Sequence, residues 1–157
     1  MQPVRNPAFR LLVASDLPSA AGLEAEVFSV PWGLELLESE LLRDNTVLLG
    51  AFWDDALVGY ASLFTVLDEG EITRVAVHPR SRRRGIGREL IVRLLAAGQE
   101  RALSRLFLEV REGNAAAIAL YGGLGFAACG LRPGYYDDNG ENAVIMRKDL
   151  PCKEITL

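Results

Sequence analysis

The stretch Arg82-Arg83-Arg84-Gly85-Ile86-Gly87 constrains the fold of this chain more than any other. It follows an apolar, strand-like run, Ile72 to Val77, closed by His78-Pro79. It leads into apolar residues at helical spacing: Ile86, Leu90, Ile91, Leu94 and Leu95. A strand, a loop with two glycines and a helix start form a device for holding phosphate. The first N–H groups of a helix have no internal partner and lie at the positive end of its dipole. Glycines remove the side chains that would keep a phosphate from those donors. The hexamer lacks the Gly-Lys-Ser/Thr ending of a nucleotide P-loop, and it is not the G-x-G-x-x-G of dinucleotide sites. Alone, Arg82, Arg83, Arg84 and Arg88 would read as solvated surface charge; the glycines beside them argue for a ligand.

With 157 residues, half of them hydrophobic, the chain is expected to form one domain over residues 1–150, followed by a frayed tail at 151–157. A net charge of −4 argues against a general nucleic-acid binder and suits a basic substrate. The two cysteines, Cys129 and Cys152, have no zinc spacing or framework, so no metal is expected and a reduced, cytoplasmic setting is. Met1 to Arg10 lacks the apolar stretch of a signal peptide, and no run approaches the roughly 20 apolar residues of a membrane span.

Periodicity predicts strands at Phe9–Val13, Val47–Trp53, Leu57–Val66, Ile72–Val77, Leu106–Val110, Ala127–Leu131 and Asn142–Arg147. Helices are expected at Leu17–Phe28, after a Ser15-Asp16 cap, and at Leu34–Arg43, Gly87–Arg101 and Ala115–Leu124. Pro31-Trp32 separates the first two, and Asp54-Asp55 is the turn of a hairpin. Strands that pair first and alternate with helices later imply an α/β (α+β) fold: a mixed sheet of about seven strands flanked by four helices.

These motifs resemble the GNAT N-acetyltransferases, whose acetyl-CoA loop reads Arg/Gln-x-x-Gly-x-Gly/Ala; Arg82, Gly85 and Gly87 fill those places. A second signature follows the fifth strand in the right order, Asn114-Ala115-Ala116-Ala117-Ile118-Ala119-Leu120-Tyr121 and then Gly125-Phe126. The likeness extends from about Phe9 to Lys148. Within the family, the chain is most similar to the RimI-type enzymes, which acetylate protein N-termini, a ribosomal-protein alanine among them. Phe28 with Pro31-Trp32, Leu108-Glu109-Val110-Arg111 and Tyr135-Tyr136 before Gly140-Glu141 carry that likeness. Two departures stand out. Asn142 replaces the usual acidic residue, and Gly122-Gly123 replaces a bulkier pair, loosening the helix by about 1 kcal/mol per glycine.

The resemblance implies acetyl-CoA as co-substrate. Backbone amides of Arg83, Arg84, Gly85, Ile86, Gly87 and Arg88 would hold its pyrophosphate. Backbone of Val75, Ala76 and Val77 would pair with the pantetheine arm, a bulge there leaving an N–H to polarise the thioester. Asn114 would contact the cofactor, although it also reads as a helix cap. The acceptor amine must be neutral to attack, and an α-amino group has a pKa of about 7.7–8.0, so a weak base suffices. Glu109, the one charge inside Leu106-Phe107-Leu108-Glu109-Val110, is the candidate, directly or through water. Its alternative is a strand-end carboxylate paired with Arg111 or a loop arginine. Tyr121, with a reference pKa near 10, would protonate the departing thiolate; otherwise it is a core tyrosine.

Trp32, Tyr135 and Tyr136 would wall the acceptor, with helix packing the alternative for Trp32. Asp137, Asp138 and Glu141 would draw in basic residues of a protein N-terminus, such as that of a basic ribosomal protein. His78 reads as a loop residue. The expected activity is direct acetyl transfer to a protein N-terminal amine in a ternary complex. The alternatives are a small-molecule amine or amino-acid acetyltransferase and a non-catalytic acyl-CoA sensor. Neither nucleic acid nor membrane is expected as a partner, and the oligomeric state is not legible.

Overall fold

The computed structural model describes residues 6–151. Its elements are β1 (Ala8–Leu11), α1 (Leu17–Val27), α2 (Leu34–Leu41), β2 (Thr46–Trp53), β3 (Ala56–Val66), β4 (Glu69–Val77), α3 (Ile86–Glu100), β5 (Arg105–Arg111), α4 (Ala115–Gly123), β6 (Ala127–Arg132) and β7 (Ala143–Asp149), with 3-10 turns at Ala14–Asp16 and Pro79–Ser81. The strands form a seven-stranded sheet in the order β1-β2-β3-β4-β5-β7-β6. β4 and β5 run parallel; β1 and β2, β5 and β7, and β6 and β7 run antiparallel. The sheet is therefore mixed, and with four α-helices it is the α/β architecture the periodicity implied. Of the tail expected at 151–157, residues 152–157, with Cys152, lie outside the described residues.

The chain divides into two compact units: one takes the sequence up to Leu63 together with Arg74–Leu94, the other Phe64–Thr73 and the sequence from Leu95 on. In the first, Leu12, Leu17, Ala20, Leu23, Leu37, Leu48, Phe52, Tyr60 and Ala76 form a buried cluster, with Phe28 and Trp32 packed against it. Each fully buried leucine contributes about 1.5–3 kcal/mol by leaving water. The cap expected at Ser15-Asp16 belongs to the 3-10 turn instead of α1. There the Asp16 carboxylate accepts the Val13 N–H at 2.8 Å and pairs with Arg10 at 2.7 Å. Asp54 and Asp55 both have positive φ, 49° and 65°, as a two-residue hairpin turn requires. α2 ends at Leu41, earlier than the pattern implied, because the chain turns at Arg43, whose carbonyl accepts the Thr46 N–H at 3.4 Å.

In the second unit β4 starts at Glu69, three residues before the expected Ile72. Glu69 and Glu71 look loop-like in sequence, yet their backbone pairs with β5, Glu69 opposite Arg105 and Glu71 opposite Phe107. β5 alternates cleanly: Leu106, Leu108 and Val110 are buried, while Arg105, Phe107, Glu109 and Arg111 are half-buried on the other face. Asn114 caps α4, its Oδ1 accepting the Ala117 N–H at 3.1 Å, and Gly125 closes the helix end at φ +96°. A register shift between Ala128 and Gly130 breaks the β6–β7 ladder at Cys129.

Candidate active site

In the first unit, β4 runs out at Val77 into the Pro79–Ser81 turn and the arginine–glycine loop. Arg83 sits at φ +63° and Gly85 at φ +77°. A non-glycine residue held in that region costs energy and is found at ligand loops. Nothing lies within 4 Å of where a Cβ on Gly85 would be, so its face is open. α3 begins at Ile86, and the Glu89 N–H already bonds the Gly85 carbonyl at 3.0 Å. The amides of Ile86, Gly87 and Arg88 precede that bond and have no acceptor within the helix. Arg82 folds back, its Nε–H donating to the Val77 carbonyl at 3.2 Å, and Arg84 lies 5.2 Å over the Trp53 ring. Of the expected thioester strand, Ala76 is buried and Val75 and Val77 are half-buried. His78 caps the 3-10 turn through Nδ1, and its Nε2 is 2.9 Å from Glu26; it behaves as a loop residue.

The same unit carries Trp32, half-buried in the segment between α1 and α2. Its N–H donates to Glu24 Oε2 at 3.0 Å. Glu24 is fully buried and also accepts from the Tyr60 hydroxyl. Burial, then the Glu24 carboxylate, pushes the Tyr60 phenol up, so it remains a donor. Trp32 is thus a packing residue by its backbone and by part of its ring.

In the second unit Glu109 lines a pocket of about 420 Å³ with Phe64, Val66, Glu71, Phe107 and Arg132. Its carboxylate pairs with Arg132 at 2.8 Å and accepts the Tyr135 hydroxyl, a bond that, ahead of burial, pushes the phenol up to about 12. The arginine partner left open by the sequence is therefore Arg132 on β6. Arg111 is engaged elsewhere, with Asp138 at 2.8 Å and Glu141 at 3.4 Å, and its guanidinium lies 4.0 Å over the Tyr136 ring. Two of the three acids expected to attract a basic peptide thereby share one internal cation, which offsets one of their two charges. Glu141 also accepts the Gly113 N–H at 2.7 Å, which, ahead of Asn139 and Arg111, holds its carboxyl below the ordinary range. Tyr135 and Tyr136 stack edge to face at 5.1 Å. Asn142, the departure from the acidic pattern, accepts the Gly134 N–H at 2.9 Å and donates to Glu112 at 2.9 Å, so it ties down the same loop. Tyr121 is buried, edge-on to Phe126 at 6.1 Å, and burial pushes its hydroxyl up to about 12.

The Acetyltransferase (GNAT) family model matches residues 16–126, which include the glycine loop, Glu109, Asn114 and Tyr121. The chain belongs to the GNAT family. Among GNAT relatives, the [ribosomal protein bS18]-alanine N-acetyltransferase of Salmonella typhimurium is 36% identical over 87% of this chain and 93% of its own. The N-alpha-acetyltransferase RimI of Mycobacterium tuberculosis is 37% identical over 88% of this chain and 89% of its own. A Mycobacterium leprae protein is 38% identical over 88% of this chain, which spans only 39% of that protein's length. The crystal structure of the ribosomal-protein-S18-alanine N-acetyltransferase from Escherichia coli superposes with a TM-score of 0.87 at 32% identity, covering 96% of this chain and 98% of that one.

One residue lining the Glu109 pocket escaped the sequence reading. Glu71 is exposed as a residue, yet partial burial of its carboxyl, then the charge of Glu109, holds it above the ordinary glutamate range against the opposing charge of Arg132. The signal was available: a parallel neighbour to β5 must bring its own side chains onto the face that carries Glu109.

Proposed function

We propose that this acetyl-CoA-dependent N-acetyltransferase acts on a protein N-terminal α-amine, a ribosomal-protein alanine being the favoured acceptor, by direct transfer in a ternary complex. The observation that carries this reading is the Glu109 pocket, a mostly apolar recess whose acid is already paired with a cation and a tyrosine hydroxyl. Such a recess suits an ammonium group attached to a small side chain. The similarity to enzymes named for bS18-alanine acetylation supports the choice of acceptor.

The glycine loop fits the phosphates of acetyl-CoA: Gly85 is open where a side chain would stand, and the first amides of α3 have no partner within their own helix. When bound, acetyl-CoA supplies the activated acetyl group as a thioester. Val75, Ala76 and Val77 offer backbone to its arm, with Arg82 giving up the Val77 carbonyl, and Asn114 adds a contact beyond its capping role. Glu109, directly or through water, takes the proton from the acceptor ammonium; Glu71 lines the same pocket beside it. Tyr121 keeps its hydroxyl proton at neutral pH and gives it to the departing thiolate. Trp32, Tyr135 and Tyr136 bound the acceptor. The family match crosses both compact units, which supports one catalytic domain over residues 1–150. Among the described residues no helix is long and apolar enough to cross a membrane, and a cytoplasmic location follows from the acceptor we propose.

Peptides beginning with Ala, Ser or Met, set against polyamines, aminoglycosides and free amino acids, test the assignment, with release of free thiol as the readout. Turnover of Ala-initiated peptides above the small amines is the expected result. Preference for a small amine, or no thiol release with any acceptor, overturns it.

A further inference from the structure

Arg74 lies on β4 immediately before Val75, and nothing in the family motif or the mechanism above uses it. Its surroundings all belong to the first unit. The guanidinium is 3.2 Å through Nε from Glu24 Oε1, an ion pair whose alignment falls short of a hydrogen bond. Nη2 donates to the Val30 carbonyl at 3.0 Å. Its centre lies 4.1 Å over the Phe28 ring and 4.7 Å over the Trp32 ring. Glu24, the counter-charge, is fully buried and is itself engaged by the Tyr60 hydroxyl and the Trp32 N–H. One side chain therefore makes four contacts, three of them with the segment between α1 and α2.

Phe28 and Trp32 of that segment pack against the core cluster, and Ser29, Val30 and Pro31 between them are exposed. Val30 is 72% exposed, and Gly33 is exposed as well. Without the guanidinium fork, Trp32 would keep its amide bond to Glu24, but the carbonyl at Val30 and both ring faces would lose their partner. The planar, forked shape matters here. A lysine matches the charge, yet a single ammonium cannot reach Glu24, cap a carbonyl and stack on two rings together.

We infer that Arg74 is the positioning residue of the acceptor wall, fixing the 28–33 segment, and with it Trp32, relative to the strand Val75–Val77. The inference rests on the reading of Trp32 as part of the acceptor site; the tie itself rests on geometry alone. Arg74 touches no reacting atom and acts through the segment it holds.

Arg74→Lys in the full chain is the test, because it keeps a cation beside buried Glu24 and so preserves the fold; Arg74→Met removes the charge as well. In R74K, amide hydrogen exchange over residues 28–33 should quicken by about tenfold while α3 is unchanged. The acceptor KM should rise by about tenfold, with kcat and the acetyl-CoA KM within about threefold of wild type. R74M, where it folds, should show both effects more strongly. Unchanged exchange over 28–33 in R74K overturns the tie, whatever the acceptor turns out to be. Faster exchange with an unaltered acceptor KM overturns the role in acceptor binding, and an equal rise in the acetyl-CoA KM reduces Arg74 to a general structural residue. Absence of peptide turnover in the wild type would instead sink the proposed function, leaving the exchange result to judge the tie.

Discussion

Tyr121 and Glu71 are both shifted upward by burial, with opposite consequences for what can be measured. For Tyr121 the shift keeps the proton on, as an acid must. Tyr121→Phe should lower kcat by about a hundredfold at saturating acetyl-CoA, within the usual range for a lost general acid. A fall of less than about tenfold would remove the assignment. For Glu71 the raised value means that the folded state favours the protonated form. Stability from this group is fully present below the ordinary glutamate pKa of about 4.3 and is lost as pH rises through the higher folded value. Glu71→Gln should therefore gain stability over wild type as pH climbs from about 4 to 7, read from thermal melts in a pH series. A constant difference across that window would contradict the placement of its carboxyl. Glu109 was legible because it is the one charge in an apolar strand. Glu71 was not, because Glu69-Gly70-Glu71 has the composition of a loop and only pairing with β5 makes it a strand. Arg74 was invisible for a different reason: its partner Val30 is 44 residues away, and no local pattern reports a fork reaching that far.

Elements were read with better fidelity than their ends. Alternation located β5 and β7, and the glycine loop located α3, because those signals come from local backbone geometry and a single buried face. Where ends moved, a tertiary partner decided: β4 gained its first residues by pairing with β5, and α2 lost its last ones to the turn at Arg43. The end of α4 offers a matched pair of tests. Gly122 is exposed, lies in the last helical turn, and has nothing within 4 Å of a Cβ, whereas Gly125 closes the helix at φ +96° with the Lys148 side chain against it. Gly122→Ala should stabilise the protein by about 0.5–1 kcal/mol, since alanine loses less freedom in a helix. Gly125→Ala should destabilise by about 1 kcal/mol or more, because L residues strain at that angle. Chemical denaturation of the two variants checks both signs. Two stabilising outcomes would contradict the helix end described above.

For the whole molecule the readout is ligand linkage. A co-substrate that binds only the folded chain stabilises it by mass action, about 2.7 kcal/mol at a hundredfold excess over Kd. For a chain of 157 residues that corresponds to a rise in Tm of roughly 5–10 °C. Acetyl-CoA should produce such a shift, and Gly85→Asp, which sets a carboxylate on the phosphate loop, should abolish it; a shift that survives the substitution would move the phosphates elsewhere. Net charge is a poorer guide at this scale. The chain carries −4 overall, but Arg111 pairs with both Asp138 and Glu141 and offsets one of their two charges, an arrangement no sum of charges reveals. The margins of the sheet have a consequence of their own. β1, at one margin, is four residues long. β6, at the other, is exposed along its whole length, but its ladder slips at Cys129. A foreign strand arriving at β6 meets a broken row of hydrogen-bonding groups, and one arriving at β1 runs out of partners after a few residues. Neither margin offers the long, regular edge on which the stacking that begins fibrous aggregation is templated.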